Sequence, residues 1–386
     1  MTHFKLYSST NELPIEWDAL SVEDIFLKTE FLSALETSSP PNISTYFLAV
    51  YSSDVLAGIA VIQRVEMYLD DVFRRTSNKF FKRIGKYLIS KLVKGNALIV
   101  GNLMHTGQHG LYYDADSISQ EVFLAELENG LKALSKLVYQ QFGKKIRIIG
   151  FKDYFENDWF NQNETFTERL GLYKAKVQPN MIFKMQSNWK TANDYVQAFN
   201  KKYRRRYKTA RKKSKEIVCQ EMDVNEVKSH SEQLYKLYEN VSDNAGVNSF
   251  KLHPNHFYQL KLKLQDNFKV YGYALNNQLI GFYTFIKNYD AIETYFLGYD
   301  PDLQHKHQMY LNMLFDMAIY GVENNHEQVV FARTAMEIKS SIGAKPFDMF
   351  IHVKHTHNFI ANTILRLAVK YGNPVRDWEE RHPFET

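Results

Sequence analysis

Apolar and polar positions follow two rhythms along this 386-residue chain, and the switches between them outline its elements. A helical rhythm over Asp24–Leu35 stops at Ser38-Ser39-Pro40-Pro41. Two strand-like runs follow, Thr45–Tyr51 and Val55–Val65, separated by the turn residues Ser52-Ser53-Asp54. In Phe73–Gly95, residues Phe80, Phe81, Ile84, Leu88 and Leu92 take helical spacing among many cations. A buried-looking strand, Ala97–Val100, leads into the loop His105–Gly110. An amphipathic helix then carries Leu124, Leu127, Leu131, Leu134 and Val138 and ends at Gly143, and Ile146–Phe151 reads as a strand.

The second half repeats this outline. Helical periodicity covers Val224–Val241, followed by a polar loop, Ser242–Pro254, long enough to be functional. Strands are expected at Lys269–Ala274 and Gln278–Lys287 around the turn Asn276-Asn277, and again at Ala291–Tyr299. A helix with Tyr310, Met313, Leu314, Met317 and Ala318 on one face comes next, then the strand Gln328–Arg333. A short helix (Met336–Ile342), a strand (Met349–Lys354) and a helix (Asn358–Tyr371) follow. Meander, helix, strand occurs twice in that order, so an internal structural duplication is expected.

Between the halves lies Trp189–Lys215. Thr191 and Asp194 form a capping box, and Tyr195, Phe199, Tyr203 and Tyr207 recur every four residues, giving one aromatic face. Ten cations fill the rest: Lys201, Lys202, Arg204, Arg205, Arg206, Lys208, Arg211, Lys212, Lys213 and Lys215. Without them the formal charge of +5 becomes −5, so the basicity is local. A clustered polycation suits RNA, a phosphate-bearing donor or an anionic membrane surface, and a solvated helix bracing two domains is the plain alternative.

At 386 residues the chain exceeds one compact core, and units at 1–187 and 218–386 with a connecting helix at 188–217 are expected. The single cysteine, Cys219, excludes an intramolecular disulfide framework and reads as a buried strand residue in a reducing compartment. Neither a signal-like amino terminus nor an apolar run of spanning length is visible, so a cytoplasmic protein is expected. The segregated apolar and basic residues of Phe73–Gly95 add the option of docking to the inner face of the membrane.

A three-stranded meander feeding a helix and then a strand resembles the acetyltransferase fold of the GNAT superfamily. The stretches LIGFYTFI, YFLGYD, YLNMLFDMAIYGVENN and FARTAMEIKSSIGAKPFDMFIHVKH, with the junction PNMIFKMQSNWKTANDYVQAFNKKYRRRYKTARKKSK, sharpen the likeness. They are similar to predicted bacterial tandem-domain N-acyltransferases related to the Fem peptidyl transferases. The resemblance implies an α+β fold with a mixed sheet in two tandem units. It further implies transfer of an acyl group to an amine, with acyl-CoA as co-substrate and no tightly bound cofactor. An aminoacyl-tRNA-dependent transferase acting on a cell-envelope precursor, or a non-catalytic polyanion-binding protein, is the alternative. One departure is plain: GNAT enzymes that use acetyl-CoA carry a glycine-rich turn before the central helix, and here the stretch is Gln304-His305-Lys306-His307-Gln308-Met309.

Acyl transfer needs a proton acceptor for the amine and a donor for the leaving group. Alternation puts Glu293, Tyr295 and Leu297 on one strand face, so Glu293 or Tyr295 would take the proton and Tyr299 would return one. Glu293 could equally be a solvated strand-face carboxylate, and the tyrosines core. His305, Lys306 and His307 at a helix start, with Arg333 and Lys339 after a strand end, are the donor-binding candidates. Arg333 could instead pair with Glu337 on a helical turn. Asn248, Lys251, Tyr310, Arg204 and Arg205 are the candidate substrate contacts. Metal binding is not expected: the pairs His253/His256 and His305/His307 and the group His352/His355/His357 lack a zinc-like pattern. His105 and His109 occupy the loop of the first half where a second site would lie.

Overall fold

The alternating runs become strands, and their tight turns fall on short polar residues that tolerate a positive φ. β1 (Thr2–Tyr7), β2 (Ile43–Ser52) and β3 (Val55–Met67) form an antiparallel meander, with Ser53 and Asp54 turning at φ 49° and 66°. Between β1 and β2 lies α1 (Thr29–Thr37). β4 (Gly95–Val100) runs antiparallel to β3, whose earlier residues pair with β5 (Leu111–Tyr113). Helix α2 (Gln120–Phe142) crosses over to β6 (Ile146–Phe155), which lies parallel to β4. Ser119 caps α2 at one end, and Gly143 ends it in the left-handed conformation at φ 64°.

After β7 (Tyr173–Lys184) come α3 (Ala192–Ala198), α4 (Lys201–Lys213) and the edge strand β8 (Val218–Glu221). Helices α5 (Ser231–Ser242) and α6 (His256–Leu264) precede a second meander, β9 (Phe268–Leu275), β10 (Gln278–Asn288) and β11 (Ala291–Tyr299). Asn276 and Asn277 make its first turn at φ 50° and 62°. Then follow α7 (Pro301–His307), α8 (Met309–Glu323), β12 (Gln328–Val330), α9 (Met336–Ser340), β13 (Lys345–His355) and α10 (Phe359–Gly372). This computed structural model describes residues 1–20, 23–67, 95–243, 250–357, 359–372 and 378–384. Asn248 and nearly all of Phe73–Gly95 therefore lie outside the described residues.

The chain divides into two units, and their boundaries differ from those expected. The first is Met1–Val177 with Gly246–His253 and Asp348–Val375; the second is Gln178–Ala245 with Pro254–Phe347 and Arg376–Thr386. The first unit orders its strands β1-β2-β3-β4-β6 and adds the later part of β13 antiparallel to β6. In the second, the later part of β7 pairs antiparallel with β12, β12 parallel with β11, and the meander continues through β10 and β9 to β8. Each unit is thus an antiparallel meander joined through a helical crossover to a parallel strand, and both have the GNAT-type α+β fold.

The basic stretch is part of the second unit and is not a separate connector. Its Thr191–Asp194 capping box forms, but the helix breaks after Ala198, where Asn200 caps α4 by accepting from the backbone N–H groups of Lys202 and Tyr203. Tyr195, Phe199 and Tyr203 are buried in the core with Phe183, Trp189 and the α8 residues Met313, Leu314 and Phe315. Phe384 lies flat on Phe199 at 5.3 Å, so the chain after 378 closes over this aromatic face. Cys219, expected to be buried, is exposed because β8 is an edge strand. His230 divides the expected helix Val224–Val241, and β12 stops at Val330, not Arg333, since Ala332 turns to φ 59°.

Candidate active site

Two parallel strands part in the second unit. β11 and β12 pair over Ala291–Glu293 and Gln328–Val330 only, after which β11 continues to Tyr299 without β12 beside it. Just past the fork β11 gains one residue: Tyr283 faces Leu297, but Phe285 faces Thr294. Tyr295 and Phe296 therefore share one partner, Thr284, whose hydroxyl donates to the Phe296 carbonyl at 2.6 Å. Such a bulge leaves a strand locally unpaired and re-aims its side chains.

The bulge corrects the expected faces. Tyr295 and Phe296 both lie toward α5 and α6: Tyr295 stacks on His256 and Phe296 meets Tyr238 edge-on. Leu297 and Tyr299 move to the opposite face and join the core around α8 with Ile292. Glu293 and Leu297 thus do not share a face, whereas Glu293 and Tyr295 do. Glu293 is 6% exposed, which overturns the solvated-carboxylate alternative. Tyr295 is held by His256, whose Nε2 lies 3.0 Å from its hydroxyl. The sequence offered His256 only as half of a histidine pair; its role needed the fold. Gly298 fits because α5 passes directly over it, where a Cβ would sit 2.4 Å from the Leu237 carbonyl carbon.

On the other face, Tyr299 and Tyr310 approach with ring centroids 6.5 Å apart. Burial raises both phenol pKa values, with Tyr299 adding to the effect at Tyr310, so both keep their protons at neutral pH. The turn before α8 forms without glycine: Gln308 itself takes the left-handed conformation at φ 49°. That costs a non-glycine residue roughly 1–2 kcal/mol, and Asn312 secures the turn. Its Nδ2 donates to the carbonyls of Ala210, His307 and Gln308 at 3.1, 3.2 and 3.1 Å. His305 and Lys306 are exposed on the last turn of α7, not at the start of the long helix. His307 is buried, its Nδ1 2.9 Å from the Lys213 carbonyl, and its Nε2 has no hydrogen-bond partner among the described residues.

Beyond β12 the backbone takes positive φ at Ala332, Thr334 and Ala335, an unusual run of non-glycine residues. Lys339 holds it: its buried ammonium donates to the carbonyls of Ala332 and Arg333 at 3.2 and 2.8 Å. Its charge is committed to the chain's own carbonyls. Glu337, the proposed partner of Arg333, pairs with Arg381 instead. Burial pulls the Lys339 ammonium down to about 7, against about 10.4 in an unfolded chain. Between those values the unfolded chain carries a proton that the folded protein lacks, so stability rises with pH from about 7 toward about 10. Below that window both states are protonated and the slope vanishes. Relative to Lys339→Met, the wild-type unfolding free energy should climb through this range in denaturant titrations; a flat difference would mean that the ammonium stays charged in the fold.

The basic stretch separates into two groups. Arg204 donates to the carbonyls of Gln197 and Phe199 at 2.7 and 2.8 Å, closing the end of α3, while Arg206 is partly buried and Arg211 pairs with Asp316 at 2.6 Å. The other seven cations, Arg205 among them, are exposed and make no ion pair among the described residues. Lys251 belongs to the first unit and Tyr310 to the second.

In the first unit, His109 Nδ1 lies 2.8 Å from Asp24 Oδ2, and His105 stacks on Phe26. Lys152 pairs with Asp153 beneath the same loop at 2.6 Å. The loop flagged by its histidines is therefore organised around buried charge.

The antiparallel meander and the helical crossover to a parallel strand, present in both units, define a tandem GNAT-type fold, and the second unit adds the fork and the bulge. Among solved structures the chain is similar to FemX, with a TM-score of 0.54 and 11% identity over 90% of this chain and 96% of that one. It is also similar to a tandem GNAT protein from the clavulanic acid biosynthesis pathway, with a TM-score of 0.52 and 8% identity over 92% and 98%. No protein-family model and no curated protein matches the chain. At these identities the likeness establishes the fold.

Proposed function

We propose that the second unit transfers an acyl group from acyl-CoA to an amine. The observation that carries this reading is the fork: two parallel strands that part beside a bulge, with a buried carboxylate at the last paired position. An extended thioester arm lies along the open edge of β11, adding to the sheet by main-chain hydrogen bonds. The amine attacks the thioester carbon, the C–N bond forms, and Glu293 takes the amine proton. Backbone N–H groups at the bulge stabilise the oxyanion. The C–S bond then breaks and Tyr299, on the opposite face, protonates the leaving thiolate. Arg333 and the first turn of α8 hold the donor's phosphates, since helix starts offer unpaired N–H groups.

Calorimetry tests the donor. Acetyl-CoA should bind, and Arg333→Ala should weaken it about tenfold, the loss expected of one charge-assisted hydrogen bond. No heat at millimolar ligand would sink the CoA reading. One observation favours a second donor, aminoacyl-tRNA: the seven exposed cations along Lys201–Lys215. That reading requires salt-sensitive binding of charged tRNA, lost when Lys201, Lys202, Arg205 and Lys208 become glutamine. A protein that only binds polyanions would show affinity with no turnover.

A further inference from the structure

The outward face of α10 is apolar where a surface helix is ordinarily polar. Inward, Ala361 and Leu365 are buried, and Leu365 and Val369 pack with Ala97, Ile99, Ile148 and Val353 of the first unit's sheet. Outward, Phe359 is 82% exposed, Ile360 69%, Ile364 37% and Leu367 49%. At about 100° per residue, Ile360, Ile364 and Leu367 form one stripe with Phe359 at its amino end, and Arg366 and Lys370 flank it. Both cations are exposed, and the helix contains no aspartate or glutamate.

Helix α10 has 14 residues, and no helix among the described residues is long and apolar enough to cross a membrane. A short helix with an apolar stripe and a basic flank lies in the plane of a bilayer surface, its stripe among the acyl chains and its cations at the headgroups. A second copy of the chain is the poorer occupant. It would add two more cations to the same face, with no acid on the helix to offset them. We infer that α10 docks the first unit on an anionic phospholipid surface.

Cosedimentation of the full chain with vesicles of phosphatidylcholine, with and without phosphatidylglycerol, tests this. The protein should partition onto the phosphatidylglycerol vesicles and far less onto the neutral ones. Ile360→Glu with Ile364→Glu should lower that partition at least about tenfold, with unchanged thermal unfolding because both side chains are exposed. Arg366→Gln with Lys370→Gln should lower it several-fold and flatten its salt dependence. Phe359→Trp should report the site directly, through added fluorescence that brominated lipids quench. Failure of the wild type to sediment overturns the inference. So does wild-type binding by the double glutamate variant, which would place the lipid contact elsewhere, on Lys201–Lys215 for example. Micromolar dimerisation lost in that variant, without lipid binding, overturns it in favour of a second copy.

Discussion

Glu293→Gln should lower the rate of thiol release from acetyl-CoA about a hundredfold or more, as expected for loss of a general base, while CoA affinity stays within about twofold. The amide keeps the shape and most hydrogen bonds of the carboxylate but cannot take a proton. Glu293 is buried at the last residue paired with β12, so solvent is a poor substitute for it. Initial rates with a panel of small amines measure this. Tyr295 is the rival base, since it shares a face with Glu293 and is oriented by His256. If the rival holds, Tyr295→Phe removes turnover while Glu293→Gln retains it within about threefold, and the assignment of Glu293 is lost. Because Tyr299 is assigned the proton for the leaving thiolate, Tyr299→Phe should slow donors in proportion to the basicity of their leaving group.

Much of the scaffold was legible because it is written in local chemistry. The turns at Ser53-Asp54 and Asn276-Asn277, the capping box at Thr191 and the glycine stop after α2 each depend on residues adjacent in sequence. The errors share a different cause. No residue type marks the extra position in β11, yet that one insertion moves Leu297 and Tyr299 to the far face. Gln308 breaks α7 from α8 without glycine because Asn312, one turn later, binds the carbonyls the turn exposes. The four-residue aromatic repeat ran unbroken through Ala198–Asn200 although the backbone did not, since Phe199 stays in the core from an extended conformation. Site chemistry was read from residue type alone, so the sequence offers Glu293 and Arg333 as candidates without their surroundings. Partners distant in sequence could not be read that way, and His256 and Lys339 took their meaning only from the fold.

Arg211→Met should destabilise the second unit by about 3 kcal/mol, in the range for removing one member of a buried ion pair. The guanidinium pairs with Asp316 and donates to Asn312 Oδ1 at 3.2 Å, and the Tyr273 hydroxyl donates to the same carboxylate. Their side chains are 29% and 18% exposed, so some solvent reaches them and the loss falls at the low end of that range. Burial already raises the Asp316 pKa, with Arg211 and Tyr273 opposing the rise. Without Arg211 it rises further, and the folded state then binds a proton that the unfolded chain lacks. Stability of the variant must therefore fall as pH rises above the unfolded carboxylate value and recover as pH is lowered toward it, because protonation relieves the stranded charge. Adding Asp316→Leu should restore most of the lost stability at neutral pH, because the second change removes the stranded charge. Denaturant unfolding followed by tryptophan fluorescence measures all three proteins. Equal stability of wild type and Arg211→Met would show that the pair is solvated and that α4 is held by its aromatic side chains alone. In contrast, Lys201→Gln, Lys202→Gln and Lys212→Gln should each shift stability by less than about 0.5 kcal/mol, as exposed substitutions do. These measurements divide the cations of the basic stretch: Arg211 is expected to hold the helix in the fold, and the exposed lysines to contribute little to its stability.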